Sequence, residues 1–352
     1  MSLKRITSVD ELHKYLHAAI QLEHATFPPY LTALYSIRPQ TNSDASHVLR
    51  VVLVEEMLHM TLAANLLNAV GGTPDIAYAG FVPQYPAHLP NGETDFEVGI
   101  LGFSKECVET FLQIERPARA PEKGRFVKRK RSQRAVLPAY KGEDDSDLHF
   151  YSIGEFYAEI EHGLTRLQDE LKKKGENLFV GDPARQVTPD YYYSGGGEVI
   201  PVVDLESARE AIRLISEQGE GLGGAIFDYE GEISHYYRFE QVMLGRYYHA
   251  GDKAGRPSGR SFEVDWDAAY PIKPNARLSD YPAGSELHAA AVAFGEAYQA
   301  FLGEVNQAFS GRPELLIDAV GGMFRIKELA TQLIRNPIPG MDGVHAAPIF
   351  GS

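Results

Sequence analysis

A chain of 352 residues, 44% hydrophobic and 23% charged, can build one large or two modest domains around a substantial core. Its formal net charge of −14 disfavours nucleic acid or an anionic membrane as a partner. No apolar run approaches the ~20 residues of a membrane-spanning helix. The N-terminal stretch lacks the apolar core of a secretory signal, and the single cysteine, Cys107, excludes an internal disulfide and fits a reducing cytoplasm.

Residues 9–36 carry Leu16, Ile20, Phe27, Leu31 and Leu34 at helical spacing, and Glu23 lies at the centre of that apolar stripe. A carboxylate placed there must be paired, metal-bound or protonated, because burying it bare is costly. Pro28-Pro29 follow one turn later and predict a kink. A second helix, 47–70, ends at Gly71-Gly72-Thr73-Pro74 and places Val52, Ala63, Leu66 and Val70 on one face with Glu56 and His59. Glu55 points elsewhere, to solvent or to a supporting position.

Residues 74–147 read as an insertion holding a short helix, 105–115, stopped by Arg116-Pro117. Its basic run from Lys123 to Arg134 precedes Glu143-Asp144-Asp145 and has no interleaved aromatic series. That reads as a solvated loop or a partner contact. The third bundle helix, 148–174, has the stripe Ile153, Tyr157, Ile160, Leu164 and Leu171. Glu161 falls on its edge, and Glu155 competes with it as the inward carboxylate.

A second insertion, 175–224, contains Tyr191-Tyr192-Tyr193-Ser194-Gly195-Gly196-Gly197, a strand-like 199–203 and a helix reaching Gln218. Residues 219–224 spell G-x-G-x-x-G, but a helix rather than a strand precedes them, so they read as a turn and not a dinucleotide fingerprint. Residues 225–248 form the fourth bundle helix, with Glu232 and His235. Two amphipathic helices in the extension 285–336 complete a single mainly α domain over 1–352, a four-helix bundle with long insertions.

Glu56-Met57-Leu58-His59 and Glu232-Ile233-Ser234-His235 share the spacing Glu-x-x-His, which stacks a carboxylate and an imidazole one helical turn apart. Two such motifs plus one glutamate from each of two further helices make the ligand set of carboxylate-bridged di-iron bundles. Glu23, Glu56 and His59 are predicted to hold one ion; Glu161 or Glu155, with Glu232 and His235, the other. Hard carboxylates with two imidazoles suit two iron ions, with manganese or zinc as other occupants. Tyr30, Tyr157, Tyr236 and Tyr237 fall near the ligand turns, and Tyr30 and Tyr236 are the catalytic candidates. His24 and His162 diverge by ~100° from their neighbouring glutamates and read as supporting or surface residues. A substrate route is expected between the first and fourth bundle helices, where Phe27, Tyr30, Tyr236 and Phe239 favour a flat, carboxylate-bearing aromatic.

Gln21-Leu22-Glu23-His24, Phe27-Pro28-Pro29-Tyr30, Glu55-Glu56-Met57-Leu58-His59, Ile153-Gly154-Glu155-Phe156-Tyr157, Gln218-Gly219-Glu220-Gly221 and His235-Tyr236-Tyr237-Arg238-Phe239 together resemble the ferritin-like domain of iminophenyl-pyruvate dimer synthases. That family includes imine-coupling enzymes of violacein- and rebeccamycin-type biosynthesis, and the resemblance runs down to Ala347-Pro348-Ile349-Phe350. It implies a ferritin-like fold, bound iron, dioxygen as co-substrate and an oxidative role on a small amino-acid-derived substrate, such as an imine, in secondary metabolism. Glu155 belongs to one of the matching segments. A monomer or small homo-oligomer is expected. Iron storage with ferroxidase activity, and a non-catalytic interaction module, are the alternatives.

Overall fold

The computed structural model describes residues 6–117, 150, 152–193, 195–221, 224–228 and 230–351. The reading of Lys123–Arg134 and of 143–145 lies outside them.

Helix α1 (Val9–Ala25) starts where the Ser8 side chain accepts the Glu11 amide, with Asp10 and Glu11 in its first turn. The expected kink is a full break. Thr26 separates α1 from α2 (Phe27–Ser36), whose first turn holds Pro28 and Pro29, residues that tolerate a helix start but not a helix interior. The Thr26 hydroxyl donates to the Glu23 carbonyl (2.7 Å), a group left over by the break.

Helix α3 (Ser43–Ala69) runs the length of the core and stops before Gly71, whose φ of +80° a side chain would resist. Helix α4 (Lys105–Ile114) is capped by Ser104 and ends at Glu115. Helix α5 (Ile153–Lys172) is capped by Ser152, and α6 (Leu205–Glu220) by a reciprocal Asp204–Ser207 box. Helix α7 (His235–Leu244) closes at Gly245. Helices α8 (Glu286–Phe309), α9 (Leu316–Gly321) and α10 (Met323–Ile334) form the C-terminal layer. The α1 helix packs along α3, α5 along α6, α4 along α7, and α10 against α8 and α2. No described helix is long and apolar enough to cross a membrane.

Two expected elements differ. The strand-like 199–203 forms no strand; instead the Gln186 side-chain amide takes the partner's place, accepting from Val202 N (2.7 Å) and donating to Val202 O (2.6 Å). The fourth bundle helix begins only at His235, ten residues later than its apolar pattern suggested. Asp228 competes with the helix there: its carboxylate accepts the amides of Glu230 (2.9 Å) and Glu232 (2.8 Å), and its own amide donates to Glu232 O (2.9 Å). Gly231, at φ +86°, closes the turn.

The end of α3 is held by a close approach. Gly181 N donates to Ala69 O (3.0 Å), and a Cβ on Gly181 would stand 1.8 Å from the Asn68 carbonyl oxygen. Gly181→Ala is therefore expected to cost about 1–3 kcal/mol by forced displacement, read as a lower denaturation midpoint at unchanged m-value.

Candidate metal centre

Five side chains from four helical regions meet in the core. Glu23 comes from the last turn of α1, Glu56 and His59 from the middle of α3, Glu115 from the end of α4, and His235 from the first residue of α7. All are at most 2% exposed. Glu23, Glu56 and His59 place one ligand atom each within 4.8 Å of one another, and so do Glu56, Glu115 and His235. Glu56 is common to both groups. The His59 and His235 rings stack at 5.4 Å between centroids.

The structure brings Glu23, Glu56, His59 and His235, all predicted as ligands, into one cluster and places three other predicted glutamates outside it. Glu161 is not in it: its side chain is 42% exposed and pairs with Arg209 on α6 (3.4 Å). Glu155 sits half-buried in the first turn of α5 and belongs to neither group. Glu232 precedes α7 rather than standing on it, so Glu-x-x-His there does not share a helix face. Its side chain is 67% exposed and accepts from Arg238 (3.1 Å).

The carboxylate the sequence reading missed is Glu115. Val108, Phe111 and Leu112 are buried on α4, and Glu115 continues that stripe by i+4 from Phe111 and i+7 from Val108. The rule that picked Glu23 picks Glu115 as well.

A ring of polar groups surrounds the cluster. Tyr157 donates to Glu23 Oε1 (2.5 Å), Tyr30 to Glu115 Oε1 (2.5 Å), and Thr26 to Glu56 Oε2 (3.0 Å). Burial, then the charge of Glu115, raises the Tyr30 phenol well above 10, and burial with Glu23 does the same to Tyr157. Both remain hydrogen-bond donors. Tyr30 thus contacts the cluster as expected, but the second phenol on it is Tyr157. Tyr236 is buried with its ring edge-on to Tyr237 (5.1 Å).

Each imidazole has an outer partner. His59 Nε2 lies 2.9 Å from Gln218 Oε1, and the Gln218 amide nitrogen donates to Gly196 O (2.8 Å). His235 Nε2 lies 2.9 Å from Glu55 Oε2, and Arg238 holds Glu55 (3.5 Å). Glu55 is therefore a buried supporting residue. His24 is buried too, but away from the cluster, bonded to the Tyr298 hydroxyl (2.8 Å), and burial lowers its pKa to about 3. Burial likewise pushes the Cys107 thiol up, which leaves it inert.

The donor set fits a metal ion. His235 Nδ1 lies 2.9 Å from Glu56 Oε1 and 3.5 Å from Glu115 Oε2, yet is not aligned to hydrogen-bond either. A buried nitrogen beside two carboxylates, with its other nitrogen already committed to Glu55, is the arrangement a cation completes.

Protons take that role in metal-free protein. Burial, then the charge of Glu115, pushes Glu56 from 4.5 up to about 7. Burial works to lower His59 and His235, but the carboxylates around each outweigh it, and both end above 6.5. Glu55 runs the other way: burial raises it, yet His235 and Arg238 bring it below 4.5. Groups raised in the folded state stabilise it below their unfolded values and lose that contribution as pH rises. Glu55 matters only near and below 4.5. The cluster of metal-free protein is thus expected to contribute more stability at about pH 5.5 than at about pH 8. Divalent metal displaces the protons and should reverse that order. Melting curves of chelator-treated and metal-loaded protein at both pH values check this; Glu56→Gln, which removes one titrating group, should flatten the metal-free difference.

Fold and cluster together are those of a ferritin-like bundle. Residues 16–244 match the ferritin-like family model, and the chain belongs to the ferritin-like family. A curated relative is dichlorochromopyrrolate synthase of Lentzea aerocolonigenes, 29% identical in an alignment of 325 positions that covers 84% of this chain and 28% of that protein. The chain thus spans little more than a quarter of that relative's length. A ferritin-like protein from Caulobacter vibrioides shares the fold, with a TM-score of 0.62 at 20% identity over 98% of this chain and 99% of that one. The resemblance read from the sequence agrees with these relatives.

Proposed function

We propose that the chain is a di-iron oxidative enzyme acting on a small, aromatic amino-acid-derived substrate such as an imine. One observation carries the reading: two buried carboxylate–imidazole groups that share Glu56. Glu23 and His59 would hold one ion, Glu115 and His235 the other, with Glu56 between them. The relative named as a synthase supports a biosynthetic role and the choice of substrate class.

The residues that would hold iron here would give the chain a source of electrons for dioxygen, chemistry that side chains alone lack. The chain's own residues supply the setting. Tyr157 and Tyr30 fix the outer oxygens of Glu23 and Glu115, and Thr26 fixes Glu56, so the carboxylates face inward without rearrangement. Complete burial of the five ligands keeps bulk water from them. Among the described residues, the ion pairs of Glu23, Glu56 and Glu115 are with His59 and His235, rather than with the lysine or arginine that an interaction module would use.

The test is dioxygen uptake by anaerobically iron-loaded protein given imines made in situ by an amino-acid oxidase from tryptophan, tyrosine or phenylalanine. Substrate-dependent uptake abolished by Glu56→Ala supports the reading. Uptake that iron alone drives to completion, with large assemblies by size-exclusion chromatography, would replace it with iron storage.

A further inference from the structure

A cavity of about 870 Å³ opens between α2, α3 and α10. Its volume falls in the range of small-molecule sites rather than of flat partner surfaces. The floor is Phe27 and Met57, and Leu34, Leu53 and Val320 form apolar walls. Phe324 stands at the mouth with 81% of its surface exposed. A large ring left so open beside a concave apolar wall lacks a cover.

Charge says what the cover is. Arg38, Arg50, Lys327 and Arg335 line the cavity, and no aspartate or glutamate among the described residues does, in a chain with net charge −14. Arg38 lies over the Tyr270 ring (4.7 Å). Arg50, Lys327 and Arg335 make no ion pair with a carboxylate among the described residues. Three cations without a carboxylate partner, gathered around one apolar cavity that no described acidic residue lines, form a site for an acid group.

We propose that this cavity binds an organic anion with an apolar body, its acid group held by Arg50, Lys327 and Arg335 and its body lying over Phe27, Met57 and Phe324. The site goes beyond the proposed reaction and needs no metal. It nevertheless adjoins the cluster through the chain: Phe27 and Met57 on the cavity floor are the sequence neighbours of Thr26 and Glu56, which bond to each other on the cluster side.

The probes are 8-anilinonaphthalene-1-sulfonate, an anion with an apolar body, and its uncharged analogue N-phenyl-1-naphthylamine, titrated by fluorescence into chelator-treated full chain. The sulfonate should bind one per chain, at least about tenfold tighter than the neutral dye, because a charge-assisted contact is worth roughly 1.4 kcal/mol or more. Arg50→Ala/Lys327→Ala/Arg335→Ala should lose about tenfold or more for the sulfonate and leave the neutral dye unchanged. Arg50→Lys/Arg335→Lys should keep sulfonate affinity within about threefold, since it keeps the charge. All three positions are exposed, so circular dichroism should report an intact fold. Equal affinity for the two dyes, or sulfonate binding that survives the triple replacement, would overturn the proposal. Metal content of the same variants separates this outcome from failure of the di-iron reading.

Discussion

Glu56→Ala is expected to hold less than one metal ion per chain after anaerobic iron loading, where the unaltered protein holds two and Glu115→Ala holds one. The difference follows from position. Glu56 supplies a ligand atom to both groups, so its loss leaves Glu23 with His59 on one side and Glu115 with His235 on the other. Each remnant has one carboxylate and one imidazole, too few donors for a buried dication. Glu115 belongs to one group only. Unfolding does not account for the loss in Glu56→Ala. Burial and the charge of Glu115 already hold Glu56 up at about 7, so removing it also removes a buried, repelled carboxylate, and Thr26 keeps its bond to the Glu23 carbonyl; circular dichroism should report an intact fold. Glu161→Ala and Glu232→Ala are the informative controls, and both should retain two ions. Elemental analysis of desalted protein decides. A lost ion in Glu161→Ala with none lost in Glu115→Ala would restore the assignment that the apolar stripe of α5 suggested.

The cluster was partly legible in the sequence for a physical reason. Glu23, Glu56 and His59 lie on the buried stripes of long, regular helices, where period alone fixes which side chains face inward. Glu115 obeys the same rule, but α4 is a short helix inside a stretch that reads as insertion, and the template of four bundle helices drew attention to α5 instead. Glu161 failed because a stripe's edge is ambiguous: what turns it outward is Arg209 on α6, a partner forty-eight positions away that no local pattern reveals. Glu232 failed because a turn competed with a helix. The apolar period continues back to Ala225, and it takes Asp228 accepting two amides to end it. Glu232 still reaches the cluster at three removes: it holds Arg238 (3.1 Å), Arg238 holds Glu55 (3.5 Å), and Glu55 holds His235 (2.9 Å).

Glu55→Gln is expected to weaken one metal-binding step by about 10–100-fold and leave the other nearly unchanged, as is typical for the outer partner of a ligating histidine. Both imidazoles turn Nδ1 into the cluster and Nε2 outward, but their outer partners differ in charge. Gln218 spends its amide nitrogen on Gly196 O, which leaves its oxygen to accept from His59 Nε2 and fixes that proton in place. Glu55 accepts only, so it fixes the same tautomer on His235 while also feeding negative charge into the ring. His235 is therefore the stronger donor, and the Glu56–Glu115–His235 group should fill first. Glutamine at 55 keeps the shape and removes the charge, so the ions should bind more nearly alike. Gln218→Glu does the reverse, adding charge behind His59 and tightening the weaker step. Competition with a chromophoric chelator resolves the two steps, and Mössbauer spectra of iron-loaded protein should show two unlike ferrous environments drawing together in Glu55→Gln. Two steps that stay as far apart in Glu55→Gln as in the unaltered protein would show that something other than the outer carboxylate distinguishes the ions.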